Sequence, residues 1–337
     1  MTPLFSIIIP HRNIPDLLMR CLRTIPISED IQVIVVDDNS ADADQYLEKY
    51  PELSRPYLEF IPTTKGGGAG YARNVGLEHA KGKWLIFADA DDFFADGMQD
   101  IFYSHADSEA DIIFLRKKNV SSTDIHHELT DQVYLDRIMD IYFQDGDEWP
   151  LRTSFYVPYA KMIKRELIEE EDIYFDEVMY ANDCYFSVCA GYYAKKIEAF
   201  NEVVYFKTQR EGSLTDDFCH KPDELRIRAK VALRVDKFLT QHNVNMEKKI
   251  KAFLFRMLNN DKKLFRHYFN HHVTEVYPSI WSAGKDMCKG TSLKFKACFF
   301  AFALMLRCIH RLNLTYNSFK KRLLIAWRII PQRARLF

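Results

Sequence analysis

Over residues 1–115 the chain alternates between short apolar runs and helical spacings. Phe5–Ile9 is an apolar run closed by Pro10, and Ile31–Val36 is a β-branched run stopped by Asp37-Asp38-Asn39-Ser40. Leu58–Ile61, Trp84–Ala88 and Asp111–Leu115 continue the series, with Asp89-Ala90-Asp91-Asp92 following Ala88. Between the first two runs, Leu17, Leu18, Cys21, Leu22 and Ile25 recur at helical spacing. Runs that are apolar on both faces and bounded by turn residues predict strands buried on both sides, as in a parallel sheet wrapped by helices. Farther along, helical patterns cover Leu129–Phe143, Tyr159–Glu170 and Asn182–Ala194, Val203–Thr208 reads as a strand, and nearly everything from Pro222 onward suits helices. The predicted class is α/β: a Rossmann-like, mostly parallel sheet flanked by helices, followed by an α-helical C-terminal region. A soft boundary separates residues 1–218 from 219–337, with no internal repeat and no low-complexity linker.

Three polar clusters follow predicted strands directly: Pro10–Asn13, Asp37–Ser40 and Asp89–Asp92. In open α/β sheets the carboxyl edge of the strands is where ligands bind. Asp89 and Asp91 are two carboxylates two residues apart at such an edge, suited to a hard divalent cation such as Mg²⁺ or Mn²⁺ that takes its remaining oxygens from a phosphorylated substrate. The alternative is a solvated acidic turn. Asp92 and Asp96 read as capping or surface acids. A carboxylate in Asp37–Ser40 suits the N3 hydrogen of a uracil ring or a ribose hydroxyl, beside a plain turn-and-cap role. The segment Lys65–Gly70, KGGGAG, lacks the spacing of a phosphate loop and reads as a flexible lead into a helix Tyr71–Ala80, whose first turn carries Arg73. His11 reads as a turn residue, the pairs His126-His127 and His271-His272 as surface, and His220 as a candidate for completing a metal shell.

Composition narrows the classes. With 47% hydrophobic and 28% charged residues in 337, the chain is neither disordered nor fibrous. The net charge of −1 hides an asymmetry: no acidic residue follows Asp286, while eleven lysines and arginines do. Acids outnumber bases in the remainder, so the tail suits an anionic partner. Within it Phe295, Phe299, Phe302, Leu306 and Ile309, then Leu323, Ala326, Trp327 and Ile330, recur at helical spacing between cations. Such a helix suits an anionic membrane surface, and a packed helical subdomain is the alternative. No nucleic-acid-binding module is present in the sequence, so no nucleic acid is expected. The ten-residue apolar run Ala297–Leu306 is about half a membrane span. Seven cysteines with no C-x-x-C pair suit a reduced chain, and the N-terminal residues do not read as a signal peptide. The expectation is a cytoplasmic protein, peripheral on the cytosolic face of a membrane.

The blocks FSIIIPHRN, VIVVDDNSAD and AGYARNVGLEHAKGKWLIFADADD, in that order and strand context, resemble the nucleotide-binding half of family 2 glycosyltransferases of the bacterial surface-polysaccharide type. YAKMIKRELI, FDEVMYANDCYFSVCAGYYAKKI and VVYFKTQREGSLT extend the likeness over about residues 4–216. The resemblance implies a GT-A fold, with a nucleotide-binding half at 1–115 and an acceptor-side half at 116–218. It implies that Pro10, Asn13 and Asp38 line the nucleoside pocket with Asp37 close by in the nucleotide-sugar site, that Arg73 lies near ribose and phosphate, and that Asp89 faces the ribose and the metal's water shell. Asp91 would ligate the Mn²⁺ or Mg²⁺, Asp183 would be the catalytic base, and Arg210 and Ser213 would close over the diphosphate. Two departures stand out: Asn39 replaces the usual glycine after the paired aspartates, and Asn182-Asp183 replaces Glu-Asp. The implied function is metal-dependent, inverting transfer of one sugar from a UDP-sugar to a hydroxyl of a glycan or lipid-linked acceptor. The alternatives are an inactive nucleotide-sugar-binding scaffold and a sugar-nucleotide nucleotidyltransferase.

Overall fold

The computed structural model describes residues 2–129, 133–209 and 222–287. Contacts divide the chain into two units, Met1–Val235 and Asp236–Phe337. The first is built on a nine-stranded sheet: β1 (Phe5–His11), β2 (Ile31–Asp37), β3 (Leu58–Pro62), β4 (Trp84–Phe87), β5 (Phe93–Phe94), β6 (Ile112–Ser121), β7 (Glu128–Leu129), β8 (Lys161–Lys164) and β9 (Ile197–Gln209). The spatial order is β3-β2-β1-β4-β8-β6-β9-β5, with β7 paired to β6. β3, β2, β1 and β4 run parallel, β8 is reversed between β4 and β6, and β6 pairs parallel to β9.

The apolar runs become central strands because each face has a helix or aromatic cover. Phe5, Ile7, Ile9, Val33, Val35, Trp84 and Ile86 point into one core with Leu18, Cys21 and Leu22 of the helix Pro15–Arg23. On the other face Phe87 meets Phe175 and Phe186 edge-on at 5.1 and 5.6 Å. There the helix Ala69–His79 lies so close to β1 that a Cβ on Gly76 would come within 2.4 Å of Ile8 Cγ2.

Three expectations are corrected. Pro10 does not end β1, which continues to His11. The proline nitrogen faces the β4 side, where Ala88 N–H on the Ile8 carbonyl is the last bond and β4 has already ended, so no ladder bond is lost. The helix expected over Tyr159–Glu170 begins only at Arg165; Lys161–Lys164 is β8, recruited by backbone pairing to β4 and β6. Strands β6 and β9 run well beyond their apolar segments because they pair with each other through their polar halves, across a register shift near Arg116.

In the second unit the helices Ile250–Asn260, Lys262–His271 and Ile280–Met287 bury Leu254, Met257, Phe265, Phe269 and Ala283. Asp261 caps the middle helix through the Lys263 and Leu264 N–H groups. Buried Asp236 accepts from the backbone N–H of Lys249 and Ile250, both at 2.8 Å. Among the described residues no helix is long and apolar enough to cross a membrane. The basic tail lies outside the described residues.

Candidate active site

The carboxyl ends of β1, β2 and β4 open onto a cavity of about 640 Å³. Pro10, Asp38, Arg73, Asp89, Asp91 and Asp183 all line it, although they come from widely separated segments. Asp37 and Asn13 do not. Arg210, Ser213 and His220 lie outside the described residues.

Register explains Asp37. β1 and β2 end level, with His11 opposite Asp37. Asp37 accepts from His11 Nδ1 at 2.7 Å, from Ser40 Oγ at 2.6 Å and from Ser40 N–H at 2.8 Å. His11 Nε2 accepts from the Ile14 N–H at 3.2 Å, which leaves the ring proton on Nδ1. His11 is therefore a buried strand-end partner and not a turn residue. Burial pushes the Asp37 carboxyl up, but the bonds from His11 and Ser40 outweigh it and hold the group below its ordinary range. Asn13, at φ 54°, ties the same corner together: its N–H donates to Ser40 Oγ and its Oδ1 accepts from Ala41 N–H. Asn39 adopts φ 60°, filling the left-handed position that a glycine would otherwise take.

Asp38 is treated differently. Its Oδ2 accepts from Gly68 N–H at 2.8 Å and lies 3.6 Å from Arg12. Its Oδ1 is buried with no hydrogen-bond partner among the described residues. The KGGGAG segment thus holds Asp38, and its glycines have local reasons. Gly68 sits at φ 88°, and a Cβ on Gly70 would fall 2.1 Å from the Asp176 carbonyl oxygen.

The acidic loop after β4 is clamped from β9. Asp89 N–H donates to Tyr205 Oη at 2.8 Å, and that hydroxyl donates to Asp92 Oδ2 at 2.8 Å. Thr208 N–H reaches Asp92 Oδ1 at 2.7 Å, while Thr208 Oγ1 and Arg20 both donate to the Asp91 carbonyl. Asp92, expected as a cap or surface acid, is only 1% exposed; burial and then the charges of Asp89 and Asp91 push its carboxyl well above its usual range. Its role is to fix the loop that presents Asp89 and Asp91.

Arg73 bridges the two sides of the cavity. It is buried, donates to Asp89 Oδ1 at 2.6 Å and to Asn182 Oδ1 at 2.8 Å, and stands 5.4 Å from the Phe175 ring centre. Asn182, the departure noted in the sequence, therefore still reaches Arg73, without a charge. Asp183 occupies the N-cap position of the helix Cys184–Tyr193 but makes no capping bond with its side chain; its carbonyl accepts the Ser187 N–H at 3.0 Å. Burial raises its pKa, Asp89 adds to the rise, and the opposing charges of Arg73 and Lys161 do not cancel it. Lys161 is buried beneath Phe114 and Phe155, donates to the Phe155 carbonyl at 2.6 Å, and is pulled down to about 7 by burial.

Could these residues hold a divalent cation? Among the described residues no group of three or more His, Cys, Asp or Glu side chains gathers around one point. Asp89 and Asp91 offer two carboxylates at the cavity wall. That donor set suits Mg²⁺ or Mn²⁺, which accept one or two carboxylates and complete their shell with water and substrate phosphate.

Residues 6–171 match the model of glycosyl transferase family 2. The chain belongs to that family. Among curated relatives, this glycosyltransferase is 26% identical over 228 residues to glycosyltransferase GlyG of Streptococcus pneumoniae, covering 64% of this chain and 73% of GlyG. It is 26% identical over 216 residues to the poly(ribitol-phosphate) β-N-acetylglucosaminyltransferase TarS of Staphylococcus aureus, covering 62% of this chain but only 36% of TarS. The crystal structure of S. aureus TarS 1–349 in complex with UDP-GlcNAc superposes with a TM-score of 0.62 at 20% identity, covering 93% of each chain. The expected GT-A architecture is thus the fold that this glycosyltransferase shares with TarS.

Proposed function

We propose that this glycosyltransferase moves one sugar from a UDP-sugar to a hydroxyl of a glycan or lipid-linked acceptor, with inversion and with help from a divalent cation. The observation that carries the reading is one cavity that joins a buried, unpartnered oxygen of Asp38, the Asp89 and Asp91 carboxylates, and an uncapped Asp183. A donor is what Asp38 Oδ1 lacks, and the N3–H of uracil supplies one. The relatives named for transfer to poly(ribitol phosphate) and the UDP-GlcNAc complex of TarS lend support to a UDP-sugar.

Within that reading each side chain has a task. Asp89 and Asp91 would hold Mn²⁺ or Mg²⁺, which when bound neutralises charge on the departing diphosphate. Asp183 removes the acceptor hydroxyl's proton as that oxygen bonds to the anomeric carbon from the face opposite the nucleotide. The carbon–oxygen bond to the diphosphate breaks, and UDP leaves with that bond's electron pair. A carboxylate lifted above its usual range is the stronger base for this step. Asp37, His11 and Ser40 keep Asp38 in place. Residues 1–115 serve the donor, 116–218 the acceptor, and the acid-free tail would bring the enzyme to an anionic membrane surface.

Calorimetry with UDP, GDP, CDP and dTDP, each with and without Mn²⁺, tests the donor. The expected result is UDP binding strengthened by the metal; preference for another nucleotide would overturn the assignment, and no binding at all would overturn the donor reading itself.

A further inference from the structure

The cavity has more acid than free base. Asp38, Asp89, Asp91, Asp92 and Asp183 line it, and most of its cations already have partners. Arg73 is engaged by Asp89 and Asn182, and Arg228 by Glu224 at 2.7 Å. Arg12 stands 3.6 Å from Asp38. Lys207 also lines the cavity, half-buried near the end of β9, and its ammonium makes no hydrogen bond or ion pair with another described residue.

Its location is fixed tightly. Lys207 pairs with Asn119 of β6, and its strand neighbours Tyr205 and Thr208 are the two residues bonded to Asp92. The segment that presents Asp89 and Asp91 and the segment that presents Lys207 are therefore clamped together. An ammonium that lines a cavity without a protein partner suits an anionic ligand with several oxygens.

We propose that Lys207 contacts the donor's diphosphate, sharing with the Asp89–Asp91 side the neutralisation of the leaving group. This rests on the UDP-sugar reading above. It assigns the diphosphate a protein cation that Arg73, held between Asp89 and Asn182, is not free to supply. Charge gathers on the diphosphate as the glycosidic bond breaks, so a cation fixed there stabilises the transition state more than the ground state.

Calorimetry with UDP and with uridine, in Mn²⁺, on the full chain and its Lys207→Met and Lys207→Arg variants tests it. A charge-assisted bond of this kind is worth roughly 10- to 100-fold in affinity. Lys207→Met is expected to lose that factor for UDP and nothing for uridine, and Lys207→Arg to recover most of it. Equal losses for both ligands, or no loss for either, overturn the role of Lys207 while leaving the donor reading intact. An unmodified chain that binds neither ligand overturns the donor reading and this inference with it.

Discussion

Two aspartates at the ends of secondary-structure elements, Asp37 next to the cavity-lining Asp38 and Asp183 in the cavity wall itself, are treated in opposite ways. After β2, Asp37 collects donors from His11 and Ser40 and is held below the ordinary carboxylate range. At the start of the helix Cys184–Tyr193, Asp183 forgoes the capping bond its position offers and is raised above that range. The difference is hydrogen-bond supply. A carboxylate whose oxygens are filled by the fold becomes a strut, whereas Asp183, with a donor among the described residues only in its own backbone N–H, is raised by burial and keeps its basicity for a substrate. Asp38, beside Asp37, has one oxygen filled by Gly68 N–H and one left over.

Asp183→Asn should separate the two aspartates most sharply. Turnover is expected to fall roughly 10²- to 10⁴-fold, the loss typical of a general base, with UDP affinity nearly unchanged. A variant with normal steady-state rates would return Asp183 to a structural role. Asp37→Ala should act on stability instead, costing about 2–4 kcal/mol because several buried bonds to a charged group are lost together. Denaturant unfolding checks this, and an unchanged midpoint would contradict the strut.

Tyr205→Phe removes the hydroxyl that links Asp89 N–H to Asp92, at about 1–2 kcal/mol. The loss should appear chiefly as weaker Mn²⁺-dependent UDP binding, read by calorimetry with and without the metal; equal weakening in both conditions would break the link to the acidic loop. The smallest effect is a separation along pH. Asp183 works deprotonated, so kcat/KM should fall with acid from a pH above the ordinary carboxylate value. The stability that Asp37 contributes is complete above its unfolded value and is lost only as pH falls through its lower folded one. Activity should therefore fail before the fold does, and coincident loss in parallel activity and circular-dichroism titrations would contradict the comparison.

Much of this was legible along the chain because buried parallel strands are written as apolar runs, and the polar residue that ends each run must lie at the ligand edge. That rule points to Asp89 and Asp91, whereas Pro10 and Asp38 were named through the family resemblance, and the same clusters offer Asn13 and Asp37, which do not line the cavity. What escaped were contacts set by register or by pairing between distant strands. His11 meets Asp37 only because β1 and β2 end level. Asp92 looked like one more surface acid until β9 brought Tyr205 and Thr208 against it. β8 was hidden because Met162, Ile163, Leu167 and Ile168 also suit a helical period, and four residues are too few for alternation to decide. Lys207 left a faint trace: it stands two residues after Tyr205 and so on the same face of β9.

The most direct test is UDP calorimetry in Mn²⁺ on Asp38→Ala and Asp183→Asn side by side. Asp38→Ala should weaken UDP binding roughly 10- to 100-fold, while Asp183→Asn binds as the unmodified chain does and fails only in turnover. Normal UDP affinity in Asp38→Ala, together with lost affinity in Asp183→Asn, would contradict the division of the cavity into a donor-holding corner and a proton-accepting one.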